Sequence, residues 1–345
     1  MAIKKIRVLI VDDSMFVREF IASAISKDAG IEVVGKAADP YEARDKIIEL
    51  APDVMTLDVQ MPKMNGIDFL KKLMPQYPLP VLVVSSASNI VFDALDAGAV
   101  DFVNKGSMQD DNGRNSFISE LIVKIKIASI AKVGQHKHNA VKNTLTNNEN
   151  KKKAENLMIA IGASTGGTEA TYEVLKNLGN DLPGILIVQH MPPVFTRMYA
   201  ERLNNTCRME VREAQDGDIL VPGLALVAPG DFQMQVVKQG GLFKVKCFKG
   251  EKVNGHCPSV DVLFESVAKA VSGNALGIIL TGMGSDGAKG LLTMRNKGAQ
   301  TLGQNKETCV VYGMPAVAFS IGAVMKELSL QEMPKNIYQW YNEKA

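Results

Sequence analysis

Short apolar runs alternate with amphipathic segments along the first part of the chain. The runs lie at residues 6–11, 31–34, 54–57, 81–84 and 100–103. Apolar runs of this length indicate buried strands, and the segments between them carry the spacing of amphipathic helices. The alternation predicts a doubly wound (βα)5 α/β domain, in which helices cover both faces of a parallel sheet. In such a domain the functional edge lies at the carboxyl ends of the strands.

The pattern stops between residues 134 and 156, where 23 residues include six Asn, five Lys and no aromatic residue. Too little apolar surface is available there to offset the entropy of ordering, so we expect a flexible linker. The alternation resumes at residues 157–161, 185–188 and 276–280. It predicts a second α/β domain over 157–345 with a mostly parallel sheet, after a first domain at 1–133. Asp-Gly, Pro-Gly and Gly-Gly turns within 215–242 predict inserted β-hairpins.

Composition narrows the classes of function. The 345 residues carry 39 Lys plus Arg against 37 Asp plus Glu, and this balance gives no basic excess that would attract nucleic acid. The four cysteines form no Cys-x-x-Cys pair, so neither a zinc cluster nor a disulfide framework is indicated and a cytoplasmic location is expected. No apolar stretch is long enough to span a bilayer or to act as a signal peptide, so membrane insertion is not expected.

Three carboxylates follow strands of the first predicted domain. Asp12 and Asp13 come directly after the first strand, and Asp58 follows the third. With the strand order 2-1-3-4-5 they converge at one crevice, where they would repel each other without a cation such as Mg²⁺. Ser85 and Lys105 end the fourth and fifth strands and add a hydroxyl and an ammonium. Together these groups predict a phosphoryl-acceptor site, whereas each alone would be a capping residue.

Residues 6–106 resemble the receiver domains of response regulators. The resemblance rests on Val11-Asp12-Asp13-Ser14, on the stretch 57–66 and on the stretch 98–105. It implies that a histidine kinase phosphorylates Asp58. It also implies that Mg²⁺ binds among Asp12, Asp13, Asp58 and the backbone carbonyl of Gln60.

A glycine-rich segment, residues 159–167, runs from a predicted strand directly into a helical pattern. A dinucleotide-binding fingerprint would require glycine where Ser164 stands and an acidic residue about 20 positions later, where Gln189 and His190 lie. The other interpretation is Gly-x-Ser-x-Gly, with a nucleophilic Ser164 on a sharp strand-to-helix turn. The glycines alone would also suit any tight turn between a strand and a helix.

A nucleophilic serine needs a base and a group that orients it. Of the four histidines, two lie in the predicted linker, and His190 ends the strand after Ser164. Asp286 lies on another strand-to-helix turn, so the three side chains make a possible triad. Their order along the chain, Ser, His, Asp, differs from that of α/β-hydrolases. His256 could bind substrate or satisfy a buried hydrogen bond, and Cys257 is expected to be a packing residue.

Residues 157–328 closely resemble the catalytic domain of chemotaxis protein-glutamate methylesterases. The matching stretches are 162–170, 189–193, 253–256, 258–261, 281–290 and 313–315. The resemblance implies a nucleophile at Ser164, a base at His190, an orienting Asp286, and oxyanion stabilisation near Thr165 and the Met283 amide. It also implies a hydrolase that removes methyl esters from glutamates of methyl-accepting chemoreceptors, releases methanol, deamidates receptor glutamines and needs no cofactor for hydrolysis.

Together, the two resemblances imply a phosphorylation-activated enzyme of chemotactic adaptation, in which the receiver covers the Ser164 cleft until Asp58 is phosphorylated. Phosphorylation adds about −1.5 to −2 charge units, which is enough to weaken an interface between the receiver and the catalytic domain. A response regulator with a DNA-binding output is not favoured, because the second domain shows no helix-turn-helix pattern and no basic stripe. A catalytically inactive, receiver-linked scaffold is the remaining alternative, and Ser164→Ala would distinguish it from an enzyme.

Overall fold

The computed structural model describes residues 4–62, 64–86, 90–133 and 154–344. They fall into two compact units, one within residues 1–136 and the other within 137–345. Most of the linker predicted at 134–156 lies outside the described residues, which resume at Ala154.

The first unit contains a parallel sheet of five strands in the order β2-β1-β3-β4-β5. Its strands are β1 (Ile6–Val11), β2 (Ile31–Ala37), β3 (Val54–Leu57), β4 (Val81–Ser85) and β5 (Asp101–Asn104). Its helices are α1 (Met15–Ile25), α2 (Pro40–Leu50), α3 (Gly66–Leu73), α4 (Val91–Asp96) and α5 (Asp111–Ala128), with a 3-10 turn at Lys105–Gln109. The doubly wound (βα)5 prediction is confirmed.

One strand is longer than predicted. β2 continues to Ala37, although its apolar run ends at residue 34. The extra residues include Lys36, whose ammonium pairs with Glu19 at 2.7 Å. β2 is an edge strand, so polar side chains on it can reach solvent and the apolar pattern underestimates its length.

Side-chain caps begin several helices immediately after the functional edge of this sheet. Ser14 accepts a hydrogen bond from the Val17 amide, and Asp39 accepts two, from the amides of Tyr41 and Glu42. Such caps satisfy backbone donors that an α-helix leaves unpaired at its start. Because Ser14 caps α1, the preceding residues are held in the loop at the end of β1.

The second unit contains a parallel sheet of seven strands in the order β15-β14-β13-β6-β7-β10-β8, and an antiparallel sheet in the order β11-β12-β9. The strands are β6 (Met158–Ala163), β7 (Gly184–Gln189), β8 (Glu210–Glu213), β9 (Ile219–Leu220), β10 (Leu224–Val227), β11 (Gln233–Gln239), β12 (Leu242–Phe248), β13 (Ala275–Ile279), β14 (Gln300–Gln304) and β15 (Lys326–Leu328). The helices are α6 (Gly167–Leu175), α7 (Phe195–Thr206), α8 (Val260–Val271), α9 (Ala288–Asn296), α10 (Met314–Ser320) and α11 (Met333–Lys344).

The mostly parallel sheet with an inserted hairpin is confirmed, but the second strand of the hairpin extends beyond the predicted range. Within 215–242, β10 is a buried strand that pairs in parallel with β7 and β8. The hairpin consists of β11 and β12 and ends at Phe248. The turn dipeptides therefore mark chain reversals correctly, whereas strand partners depend on distant residues that turn signals do not identify.

The central strands bring the predicted catalytic segments to one edge. β6 lies between β7 and β13, and all three run in parallel. Ala163 is in register with Gln189, so the residues that follow β6 and β7 are neighbours. Among the described residues, no helix is both long and apolar enough to cross a membrane.

Candidate active site and phosphorylation site

Ser164 directly follows β6 on a tight turn. Its amide donates a 3.0 Å hydrogen bond to the carbonyl of Thr281, and Gly166, at φ +75°, leads the chain into α6. The turn passes very close to Gly282, where an added Cβ would lie 2.6 Å from the Ser164 Cβ. A side chain at position 282 would therefore displace the serine. The backbone and Cβ of the half-buried Ser164 are thus fixed in place by this turn.

His190 follows β7, and its amide donates a 3.1 Å hydrogen bond to the carbonyl of Ala163, the residue before Ser164. Its ring Nε2 lies 2.8 Å from Oδ2 of Asp286. A hydrogen bond to this carboxylate requires the proton on Nε2, which leaves Nδ1 unprotonated and able to accept a proton. Nδ1 is buried and has no hydrogen-bond partner in the described part of the chain. The site therefore contains an oriented imidazole with one basic nitrogen available.

Among the described residues, five groups donate hydrogen bonds to the Asp286 carboxylate. They are His190 Nε2, Asn254 Nδ2 at 2.8 Å, Ser259 Oγ at 2.7 Å, and the amides of Val260 at 2.6 Å and Asp261 at 3.3 Å. The two amides belong to the first turn of α8, where the helix dipole favours a negative charge. Burial opposes ionisation, but the hydrogen bonds from His190 and the other donors prevail and hold the pKa of Asp286 well below its ordinary value. The aspartate is thus a fixed anion.

The structure joins two of the three predicted triad residues directly. His190 and Asp286 are hydrogen-bonded, whereas the Ser164 hydroxyl makes no hydrogen bond among the described residues, although it follows the neighbouring strand. Without substrate, contacts between a nucleophile and its base are often long, and they shorten in the reacting complex. The arrangement is therefore a preorganised His–Asp pair beside a serine.

The predicted oxyanion region adjoins the serine turn. The Ser164 amide is already bonded to Thr281, so this amide is not available to an oxyanion. The Met283 amide makes no hydrogen bond within the described ranges, and its side chain is exposed. Thr165 is buried, and its carbonyl accepts a 3.1 Å hydrogen bond from the Thr281 hydroxyl. These positions favour the Met283 amide as the oxyanion donor.

Two functional contacts were not predicted from the sequence. The ring of His256 stacks on that of His190, with centroids 3.6 Å apart and planes within 8°. Asn254 donates to Asp286, an interaction that only the Asn-Gly turn signal at 254–255 could have suggested. In the part of the chain that the structure describes, neither His256 nor Cys257 belongs to a group of metal-ligating side chains.

In the first unit, Asp12, Asp13 and Asp58 bring carboxylate oxygens within 4.8 Å of one another. The Lys105 ammonium lies 2.5 Å from Asp12 Oδ2 and 2.7 Å from Asp58 Oδ2. Burial raises the pKa of Asp12, and the nearby Lys105 opposes this shift. Three carboxylates against one ammonium leave an excess of negative charge, and their oxygens are the ligands that Mg²⁺ prefers. The side chains present therefore fit a magnesium ion.

The remaining predicted receiver residues adjoin this cluster. Ser85 is buried at the end of β4, and Lys105 follows β5. The Gln60 amide donates a 3.2 Å hydrogen bond to Asp58 Oδ1, so the backbone of this loop lies beside the Asp58 carboxylate. Strand order 2-1-3-4-5 thus gathers side chains that are far apart in the sequence.

Comparisons with known proteins cover both units. Residues 159–337 match the family model described as CheB methylesterase, and residues 8–112 match that of the response regulator receiver domain. A protein-glutamate methylesterase/protein-glutamine glutaminase of Syntrophomonas wolfei is 54% identical over 99% of this chain and 100% of its own length. The protein of that name from Salmonella typhi is 45% identical, over 96% of each chain.

One solved structure supports the fold of the second unit. The crystal structure of the Thermotoga maritima CheB methylesterase catalytic domain covers 53% of this chain and 98% of that domain. The two share 35% sequence identity and superpose with a TM-score of 0.53.

Proposed function

The chain belongs to the CheB methylesterase family of receiver-linked enzymes, and from this membership we propose that it demethylates glutamates and deamidates glutamines of chemoreceptors through Ser164, His190 and Asp286. A methyl ester and a primary amide present the same carbonyl to a nucleophile, so one site serves both substrates. The curated relatives carry both activities in their names.

In the acylation step, Ser164 Oγ attacks the side-chain carbonyl while Nδ1 of His190 takes the hydroxyl proton. The fixed charge of Asp286 stabilises the imidazolium that forms and keeps the ring oriented. The Met283 amide and the turn around Thr165 stabilise the negative charge that develops on the carbonyl oxygen. The proton then passes from His190 to the oxygen of the departing methoxy group, which leaves as methanol, or to the nitrogen of the departing amino group, which leaves as ammonia when the substrate is glutamine.

Deacylation uses the same groups in reverse. His190 removes a proton from water, the water attacks the acyl-serine, and Ser164 leaves with the proton returned from His190. The product is free glutamate in both reactions. Each turnover restores the starting protonation states, so the hydrolysis is complete without any further reactant.

The receiver domain supplies control. We propose that a histidine kinase phosphorylates Asp58 and that Asp12, Asp13, Asp58 and the Gln60 carbonyl hold Mg²⁺, which shields charge during phosphoryl transfer. Lys105 moves from its present carboxylate partners toward the new phosphoryl oxygens, together with the Ser85 hydroxyl. We place the receiver at residues 1–133, the linker at 134–156 and the catalytic domain at 157–345, in a cytoplasmic protein.

The observation that carries the catalytic proposal is the His190–Asp286 pair, with its basic Nδ1, at the strand end next to Ser164. A scaffold would not need a buried anion that holds the proton on one imidazole nitrogen and leaves the other nitrogen unprotonated. Mass spectrometry of purified chemoreceptor provides the test, since ester hydrolysis and deamidation change peptide masses differently. We expect both changes with wild type and neither with Ser164→Ala, whereas equal activity of the two proteins would refute the proposal.

A further inference from the structure

A two-residue hairpin turn, Val253–His256, follows the β11–β12 hairpin and contacts the catalytic pair. Backbone hydrogen bonds join the Val253 amide to the His256 carbonyl at 3.0 Å and the His256 amide to the Val253 carbonyl at 2.9 Å. Asn254 and Gly255 both have positive φ, +53° and +85°. Two successive left-handed residues define a type I′ turn, for which Asn-Gly is the preferred sequence. The sequence of this segment therefore favours the turn conformation that the structure shows.

The Asn254 side chain links two carboxylates. Its Nδ2 donates to Oδ1 of Asp286 at 2.8 Å and to Oδ2 of Asp261 at 2.8 Å. The other oxygen of Asp261 accepts the Gly290 amide at 2.7 Å, so Asp261 is itself held in place. An amide that donates to both carboxylates reduces their mutual repulsion and limits the rotation of Asp286.

The His256 ring covers one face of the His190 ring. Burial and the neighbouring His190 lower the pKa of His256 to about 4, so the covering ring is neutral near pH 7. Of the other charged groups near His256, Asp286 favours its protonation and Lys252 opposes it. Parallel stacking leaves the ring edge of His190 unobstructed. A neutral aromatic face also stabilises a cation that forms against it, as His190 does when it takes the serine proton.

We propose that the Val253–His256 turn is a positioning element of the catalytic site, in which Asn254 fixes the Asp286 carboxylate and His256 fixes the plane of the His190 ring. The proposal rests on the proposed function of the His190–Asp286 pair. Both residues act through that pair, so they are positioning residues and not catalytic residues. The position that these two side chains give the pair matters, because a displacement of about 1 Å of a reacting group is enough to cost on the order of a hundredfold in rate.

Four substitutions in the full-length protein separate these roles from folding. Asn254→Gly keeps a residue that accepts positive φ and removes only the amide, while Asn254→Asp keeps the shape and adds a third carboxylate. His256→Ala removes the ring, and His256→Phe keeps a flat aromatic face. Val253→Thr is the matched control, because it preserves the branched shape at a partly exposed position of the same turn.

The first measurement is the steady-state rate of chemoreceptor demethylation. We expect kcat to fall roughly ten- to a hundredfold in Asn254→Gly and His256→Ala and further in Asn254→Asp, with little change in KM. His256→Phe and Val253→Thr should remain within about threefold of wild type, since stacking geometry and turn are kept. Unchanged kcat in Asn254→Gly and His256→Ala would overturn the proposal.

The second measurement needs no substrate. The His190 Nε2 proton, bonded to Asp286, should give a downfield NMR resonance in wild type and His256→Phe that broadens through faster exchange in Asn254→Gly and His256→Ala. A fall in kcat with an unchanged resonance would contradict action through the pair. If wild type demethylated nothing while the resonance responded as expected, the proposed function would fail and the positioning role would stand.

Discussion

Replacing Asp286 by Asn removes the charge of the catalytic pair with almost no change in shape. In wild type, Oδ2 accepts from His190 Nε2 and from the Val260 amide, while Oδ1 accepts from Ser259, Asn254 and the Asp261 amide. An asparagine amide must direct its NH₂ group toward one of these two sets. Either orientation places a donor against a backbone N–H of the first turn of α8, which cannot rotate away.

The opposed hydrogen-bond donors in Asp286→Asn determine the expected losses in kcat and in the free energy of unfolding. With the NH₂ group toward His190, the imidazole must carry its proton on Nδ1, so Nδ1 is no longer a base that can take the Ser164 proton. The loss of the correct tautomer and of the anion costs about 10⁴-fold in kcat in serine triads. The unsatisfied buried donors lower the free energy of unfolding by about 1–3 kcal/mol. The activity loss should therefore far exceed the loss of folded protein at 25 °C.

Both quantities are measurable on the same preparation. Methanol release from methylated chemoreceptor gives kcat, and urea denaturation gives the free energy of unfolding. Ser164→Ala is the matched control, because it removes the nucleophile without disturbing the donors around Asp286. An Asp286→Asn protein that is folded and retains more than about a tenth of wild-type kcat would refute the assigned role of the aspartate.

Three further outcomes are expected. Gly282→Ala should lower kcat about a hundredfold in a folded protein, because the added Cβ would lie 2.6 Å from the Cβ of Ser164 and displace the serine. Wild-type activity in this variant would contradict the close approach of residue 282 to Ser164. The pKa of His256 is lowered to about 4 in the folded protein, so between about pH 6.5 and pH 4 the unfolded chain binds more protons at this residue than the folded protein does. The free energy of unfolding should therefore fall as the pH falls through this window. In urea titrations, and allowing for solvent screening, His256→Phe should reduce the change in the free energy of unfolding across this pH window by about 1–2 kcal/mol. Identical pH profiles for wild type and His256→Phe would contradict the lowered pKa of His256. Lys105→Met should bind Mg²⁺ about tenfold more tightly by calorimetry, because the ammonium beside Asp58 repels the ion, yet respond less to phosphodonor; weaker Mg²⁺ binding would argue against the assigned metal site.

The sequence predicts the five strands of the first unit and β6, β7 and β13 of the second, because these buried parallel strands are short apolar runs. It does not predict β14, a largely buried parallel strand in which three of the five residues are polar. It also predicts that Ser164 and His190 share a sheet edge, since both follow neighbouring strands. Edge strand β2 is predicted too short because its polar residues reach solvent. The partners of β10 are not predictable from turn signals, since pairing with β7 and β8 depends on residues elsewhere in the chain.

The surroundings of the catalytic pair are the least predictable part. Asp286 is a plausible orienting residue from its place on a turn, but its donors Asn254 and Ser259 lie some 30 residues earlier in the chain. Their convergence depends on the start of α8 meeting the end of β13. The stacking of His256 on His190 is also a tertiary contact with no local signal. Side-chain chemistry thus indicates which residues are candidates for catalysis, while the fold determines which other residues position them.

In the proposed function, a phosphorylated receiver controls a serine esterase in one chain. The most direct measurement is methanol release from methylated chemoreceptor membranes, with and without Mg²⁺ and a small phosphodonor, for wild type, Ser164→Ala and Asp58→Ala. We predict release that requires Ser164, and stimulation by phosphodonor only where Asp58 is present. Equal release from Ser164→Ala, or equal stimulation of Asp58→Ala, would contradict the account.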